Sequence, residues 1–305
     1  MSHWEKFGCV YTLPENLHPK MLSHVGNPLP VRIQGDVYRI FFSARDEKNR
    51  SSVGAVDFDI VRRAVVREHG RPFFLHGPEG SFYADGVSIG NCYTAGGVTY
   101  MLFMGWQTGG LAHWRGDIGR LVLHDDLSLS LDSEQAFLRA GETDPVSLSY
   151  PWVHQKRDGA FLMWYGSTET WDAGNGDMLH VINYATSADG QSWARGGLAV
   201  PYALGKAQAF SRPTVVQNER GDYEMWFSYR SGSGQKYRIG HTASEDGMHW
   251  TPAPGKSGID VSAAGWDSEM IEYPFVFDHG GKRYMLYNGN AFGKTGFGLA
   301  VLGHE

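Results

Sequence analysis

Three carboxylates in this sequence stand where proton transfer can be carried out. Asp85 lies in SFYADGVSIG, with aromatics before it and a glycine-rich segment after it, while Glu269 and Glu272 lie in GWDSEMIEYP beside Asp267. Carboxyl groups in pairs cleave glycosides, one giving a proton and the other acting as base or nucleophile. A spacing of about 5–5.5 Å retains configuration and one of about 6.5–9.5 Å inverts it. A carboxyl walled by Tyr273 and Trp266 is expected to hold its proton to higher pH and to serve as the acid. Arg45 and Arg230 end two matching segments, and Arg212 lies close by in the pattern. Their planar guanidinium forks suit a carboxylate or phosphate. The same arginines can instead pair with Asp85, Glu269 or Glu272 and tie neighbouring elements together. Tyr83, Trp106, Tyr150, Trp152, Trp171, Trp266 and Tyr273 gather on the same stretches. Flat rings with a polar tip stack on sugar faces, though each one singly also fits a core or rim position. The candidate acid–base groups are therefore Asp85, Glu269 and Glu272. The candidate binding residues are Asn27, Arg45, Trp106, Tyr150, Trp152, His154, Arg212, Arg230 and Tyr273.

What must position them is a repeat. Five copies begin NPLPVRI (27–33), DGVSIGN (85–91), YPWVHQK (150–156), RPTVVQN (212–218) and YPFVFDH (273–279), anchored on Pro28, Gly86, Pro151, Pro213 and Pro274. Second segments follow as YRIFFSAR, YMLFMGWQ, FLMWYGST, YEMWFSYR and YMLYNGNA. Four start ten residues after their anchor and the second copy starts fourteen after. Third segments follow, and fourth ones are harder to read, as expected of outer strands that meet solvent. Short runs rich in β-branched and aromatic residues, bounded by Gly, Asn and Ser turns, read as strands. Four strands repeating at about sixty residues predict an all-β, five-bladed β-propeller of four-stranded antiparallel blades, in one domain over 1–305. The last copy lacks a fourth strand, so EKFGCVY (5–11) is expected to supply it and close the ring, covering an edge that would otherwise invite aggregation. First strands line the channel of such a ring, and the residues just before each anchor cluster at one mouth: Gly26–Asn27, Ala84–Asp85, Ser149–Tyr150, Ser211–Arg212 and Glu272–Tyr273. The turns SADGQSW (187–193) and SEDGMHW (244–250) read as structural, Asp-Gly giving the positive φ of a tight hairpin and the Trp packing outside.

Composition narrows the function classes. The 305 residues carry a formal net charge of −6 with no basic block, which argues against a nucleic-acid partner. Two cysteines, Cys9 and Cys92, exclude a disulfide framework and thiolate metal sets. The start has no apolar signal-like core and no run of 18 apolar residues occurs, so a soluble cytoplasmic protein without a membrane partner is expected. His24, His113 and His154 fall near the expected mouth without metal-ligand spacing, and no dinucleotide, phosphate-loop or nucleophile-elbow motif is present, so neither metal nor cofactor is expected. The partner that remains is a small-molecule or oligosaccharide substrate.

Over nearly its whole length the sequence resembles the five-bladed propeller glycoside hydrolases of the arabinanase, invertase and levansucrase group, including the mannoside phosphorylases. The strings that carry this are the x-Pro-x-Val first strands, YEMWFSYR, FSRPTVV, FYADGVSIG, GWDSEMIEYP and the SxDGxxW turns. It looks closest to glycosidase-like proteins that accompany sugar or polysaccharide biosynthesis. The resemblance implies an Asp before the first channel strand, an Asp before the second and a Glu before the third, acting as base or nucleophile, as orienting group and as general acid. Asp85 matches the second. Asn27 stands at the first and cannot ionise, and Ser149–Tyr150 at the third offers no Glu, unless the loop with Glu142 and Asp144 folds back. The reading is a carbohydrate-active enzyme that cleaves or transfers a glycosyl group to water, phosphate or another acceptor. The alternatives are proton-transfer chemistry on a sugar-derived molecule, such as elimination, epimerisation or cyclisation, and a non-catalytic sugar-binding propeller.

Overall fold

The computed structural model describes residues 3–110, 112–218, 220–232 and 234–303. The chain opens with β1 (His3–Tyr11) and then runs through strands in groups. The first group is β2 (Ser23–Gln34), β3 (Val37–Arg45), β4 (Ser51–Asp59) and β5 (Ala64–Glu68), and the second is β6 (Gly86–Ala95), β7 (Val98–Gln107), β8 (Arg115–Leu123) and β9 (Leu129–Leu131). The third is β10 (Ser147–Gln155), β11 (Phe161–Thr170), β12 (Leu179–Ser187) and β13 (Ala194–Leu198), and the fourth β14 (Gln208–Gln217), β15 (Tyr223–Arg230), β16 (Arg238–Ser244) and β17 (Thr251–Pro252). The last is β18 (Glu272–His279), β19 (Lys282–Asn288) and β20 (Phe297–Gly303). Within each group neighbours in sequence pair antiparallel. The first two groups join through one parallel bridge, Ser51 with Gly86. β1 pairs antiparallel with β20, from His3 against Gly303 to Tyr11 against Phe297, so the segment expected to complete the last sheet does so.

The second and third strands of each group are buried on both faces, β4 throughout and β11 over its first eight residues. That is why IFF, YMLFM and FLMWYG read as continuous apolar runs rather than alternating ones. The fourth strands differ: every residue of β5 is exposed, and β13 alternates between exposed and half-buried. Trp4 of β1 is buried against Trp226 of β15, ring centroids 5.7 Å apart, and both indoles donate to the Ser257 carbonyl. The first strands approach one another in turn: β2 with β6, β6 with β10, β10 with β14, β14 with β18, and β18 with β2.

Every first strand breaks its ladder at the same place. Register shifts fall between Gly26 and Leu29, Ser149 and Trp152, Ser211 and Thr214, and Glu272 and Phe275. Each brackets a proline, which has no N–H to give the ladder, and a bulge takes up the mismatch. The residue before each proline, Asn27, Tyr150, Arg212 or Tyr273, has φ between +37° and +57°. Left-handed backbone is disfavoured for side-chain-bearing residues, with a cost of about 1–3 kcal/mol at each. In β6 the matching shift lies between Ile89 and Cys92, at Gly90–Asn91. The structural counterpart of the prolines in the second group is thus not the predicted Gly86, and Asp85 is not the counterpart of Asn27, Tyr150, Arg212 and Tyr273. No proline marks the position, and a side chain at Gly90 would run into the Pro151 carbonyl, 2.2 Å from its Cβ.

Candidate active site at the bulges of the first strands

The bulges turn four pre-proline side chains inward, and three of them build one cluster. The Tyr150 and Tyr273 rings pack at a tilt of 44°, centroids 5.2 Å apart, with their hydroxyls 3.3 Å from each other. Arg212, only 1% exposed, lies over the Phe275 ring, with Nη2 donating to the Pro28 carbonyl and Nη1 to that of Tyr273. Asn27 is held by its backbone, whose N–H donates to the Asn288 side chain, while its own Nδ2 is buried without a partner. Asn27, Tyr150 and Tyr273, with His24, Arg45 and Trp106, line a cavity of roughly 30 Å³. That is room for one or two waters.

Beside it lies Glu272, fully buried, and neither of its carboxyl oxygens has a hydrogen-bond partner among the described residues. Burial pushes this carboxyl well above the ordinary range, against the pull of Arg45, Arg230 and Arg212. Buried polar atoms are nearly always paired, so two orphaned oxygens on one carboxyl call for an explanation. Burial also brings the Arg212 guanidinium down to about 9, with Tyr150, Tyr273 and Glu272 opposing the shift. The Tyr273 hydroxyl is raised by burial and by Glu272, and that of Tyr150 by burial. Arg230 donates to Asp177 at 2.7 Å, lies over the Tyr237 ring at 4.8 Å and keeps an unpartnered Nε. His24 is lowered to about 4 by burial, Arg45 and Lys294, so it is neutral at physiological pH.

The other sequence candidates sit elsewhere in character. Asp85 stands just before β6, and its Oδ2 accepts from both the Thr108 N–H and hydroxyl, at 2.6 and 2.7 Å. Trp106 donates to the Ser51 hydroxyl at the cavity wall. Glu269 is turned to solvent, 56% exposed, and pairs with Lys236. Only Met270 and Ile271 separate it from Glu272, but β18 begins at Glu272, and the Glu269 backbone is held on the surface by Asn290. Trp152 packs on Phe275 at 4.9 Å, and His154 meets the Tyr223 edge at 5.6 Å with its ring held neutral by burial. Of the acids noted around position 149, Asp144 is fully buried but satisfied by Tyr165, Asn183 and Arg195. Ser149 shares a hydrogen bond with His180, itself lowered to about 3 by burial and Arg230.

Sequence reasoning passed over Tyr237 and Phe292. Tyr237 precedes β16, and its hydroxyl, raised by burial beyond the ordinary range, feels Arg230, Glu272 and Tyr150. Phe292 lines the cavity from the turn at 290–293, where Ala291 and Phe292 both have left-handed backbone. The glycine-rich NGNAFG after β19, where matching strands end in arginine, was the available signal. No group of three or more His, Cys, Asp or Glu is placed to hold a metal among the described residues, and no helix there is long and apolar enough to cross a membrane.

No family model matches the chain. Solved structures share its fold. One described as a glycoside hydrolase superposes with a TM-score of 0.75 at 16% identity, covering 97% of this chain and 90% of the other. An endo-arabinase from Bacteroides thetaiotaomicron gives 0.65 at 13%, covering 94% and 96%. A structure from work on mannoside phosphorylases and glycoside hydrolases that target β-1,2 mannosidic linkages in Candida mannan gives 0.71 at 12%, covering 98% and 93%. At such identities the likeness is one of fold, the β-propeller of these glycosidases. Two sequences are far nearer: the uncharacterized proteins MT1551 and Rv1502 of two Mycobacterium tuberculosis strains, each 41% identical over 301 residues, 98% of this chain and 99% of theirs. The chain belongs to the family of these two mycobacterial proteins, built on the propeller glycosidase fold.

Proposed function

We propose that this protein is a carbohydrate-active enzyme of the propeller glycosidase type, cleaving or transferring a glycosyl group at the cluster around Glu272. The observation that carries the reading is this carboxyl, fully buried, unpartnered and drawn by three arginines. A carboxyl kept protonated near neutral pH is what a general acid needs. The five strand groups are read as five blades closed by β1, a reading supported by the succession of first-strand contacts from β2 round to β18 and back to β2. On that reading Asn27, Tyr150, Arg212 and Tyr273 meet at one end of the central channel. Arg45, Trp106 and Arg230 complete the binding groups, and Asp85 is the available base.

A sugar ring is larger than the cavity as it stands, so binding requires the wall to give. The strained turn carrying Phe292, a side chain 40% exposed, is the segment best placed to move. A panel of aryl glycosides and oligosaccharides, assayed with and without inorganic phosphate, tests the reading and separates hydrolysis from phosphorolysis. Glu272→Gln should remove turnover of any substrate found, and full activity in that variant would overturn the assignment.

A second reading, proton transfer on a sugar-derived molecule without glycosidic cleavage, is favoured by one observation. Asp85 is engaged by Thr108 and Glu269 faces solvent in an ion pair, so neither of the other two candidate acids joins Glu272 as a free carboxyl within the buried cluster. Solvent deuterium entering a recovered, uncleaved sugar would select this alternative.

A further inference from the structure

We infer that the substrate is anionic, carrying a carboxylate or phosphate that Arg45 receives beside the reacting centre. This deepens the carbohydrate reading and rests on it for the sugar part alone. Arg45 lines the cavity and has no carboxylate partner among the described residues. The other partly buried arginines do: Arg39 has Asp57, Arg120 has Asp132, Arg195 has Asp144, and Arg283 has Asp278 and Glu224. A guanidinium fork left open at a cavity wall lacks the oxyanion it is shaped for.

Charge balance points the same way. Arg45, Arg212 and Arg230 act on Glu272. Against these three cations stand Asp177 on Arg230, Glu272 itself and Asp85. With all three acids ionised the charges balance, and with Glu272 protonated one positive charge is left over. A buried excess charge is costly unless a ligand answers it. Three donors wait in the same region: Nε of Arg212, Nε of Arg230 and Nδ2 of Asn27 are all buried without a partner among the described residues. Neutral hydroxyls could satisfy the donors but not the charge. An anionic group on the substrate does both.

Calorimetric titration of the full chain with glucuronate, glucose 6-phosphate, inorganic phosphate and glucose tests this, in low and high salt. The expected result is that one or more anions bind at least about tenfold tighter than glucose and weaken as salt rises. Arg45→Gln should abolish the preference with the melting temperature held, and Arg45→Lys should retain part of it. Phosphate alone binding marks an inorganic co-substrate site, glucose 6-phosphate a phosphosugar and glucuronate a sugar acid, each of which supports an oxyanion at Arg45. Glucose binding as tightly as the anions, none of the anions binding at millimolar concentration, or an unchanged preference in Arg45→Gln would overturn it. The two readings fail separately. Turnover of neutral glycans lost in Glu272→Gln, without any anion preference, leaves the enzyme and removes the anion site. An Arg45-dependent preference with no glycoside turned over does the reverse.

Discussion

Asp144 and Glu272 are both fully buried carboxylates, yet the molecule treats them in opposite ways. Asp144 receives the Tyr165 hydroxyl, the Asn183 amide and the Arg195 guanidinium. Glu272 receives nothing, although three arginines act on it. Burial alone therefore does not mark function. A carboxylate with every lone pair answered fastens the loop at 139–144 to β11, β12 and β13, whereas one left unanswered is available to a proton or a ligand. Asp246 in the SEDGMHW turn extends the first kind to the surface: it accepts from the N–H groups of Met248 and His249 and from the Ser244 hydroxyl.

The sharpest way to break the contrast is to remove each group. Asp144→Ala strands Arg195 and should lower stability by about 3–5 kcal/mol, read by chemical denaturation, with little effect on activity per folded molecule. Glu272→Gln should do the opposite. Activity is expected to fall by about a hundredfold or more, while stability in acid, where the carboxyl is protonated in folded and unfolded chain alike, stays within about 1 kcal/mol, since no hydrogen bond is lost. A stability loss as large as that of Asp144→Ala would show that the orphaned carboxyl is structural after all. Asp246→Ala should cost about 1 kcal/mol, with activity unchanged.

Acidity sharpens the same comparison. The folded protein holds a proton on Glu272 that the unfolded chain releases near its ordinary value of 4.5, so this group lowers stability as pH rises from there. Hence Glu272→Gln should gain in melting temperature relative to the native protein between acid and neutral pH. Asp246 is held below its ordinary value of 3.8 despite some burial, by its hydrogen bonds with His249, Met248 and Ser244. Its contribution is present above 3.8 and fades as pH falls through the folded value. The deficit of Asp246→Asn should therefore shrink in acid. Parallel pH profiles for the two variants would erase the distinction.

Much of this architecture is legible in the residues because repetition multiplies weak signals. Prolines recurring at multiples of about sixty residues, apolar second strands and Asp-Gly turns fix the strand groups, and the contacts of the SEDGMHW turn fit its structural reading, with Trp250 buried in the core rather than packed outside. The second repeat was misaligned for a physical reason: its bulge is built on Gly90, needed because Pro151 passes so close, and no proline announces it. Its spacing of fourteen, against ten elsewhere, was the trace of that change. The site was harder to see. Sequence proximity grouped Glu269 with Glu272, but the start of a buried strand separates solvent from core within three residues. Which arginine finds a carboxylate is likewise set by tertiary packing: Arg45 and Arg230 end equivalent strands, and only Arg230 meets an Asp.

The pairing of β1 with β20 has a consequence for how the chain is made. Residues 3–11 leave the ribosome long before their partner at 297–303 is synthesised. Until then Trp4 has no finished groove to enter and the β1 edge stays open. This sheet thus waits on β20 and has a long loop to close, and a nascent chain stalled before residue 297 should remain sensitive to protease at its first strand.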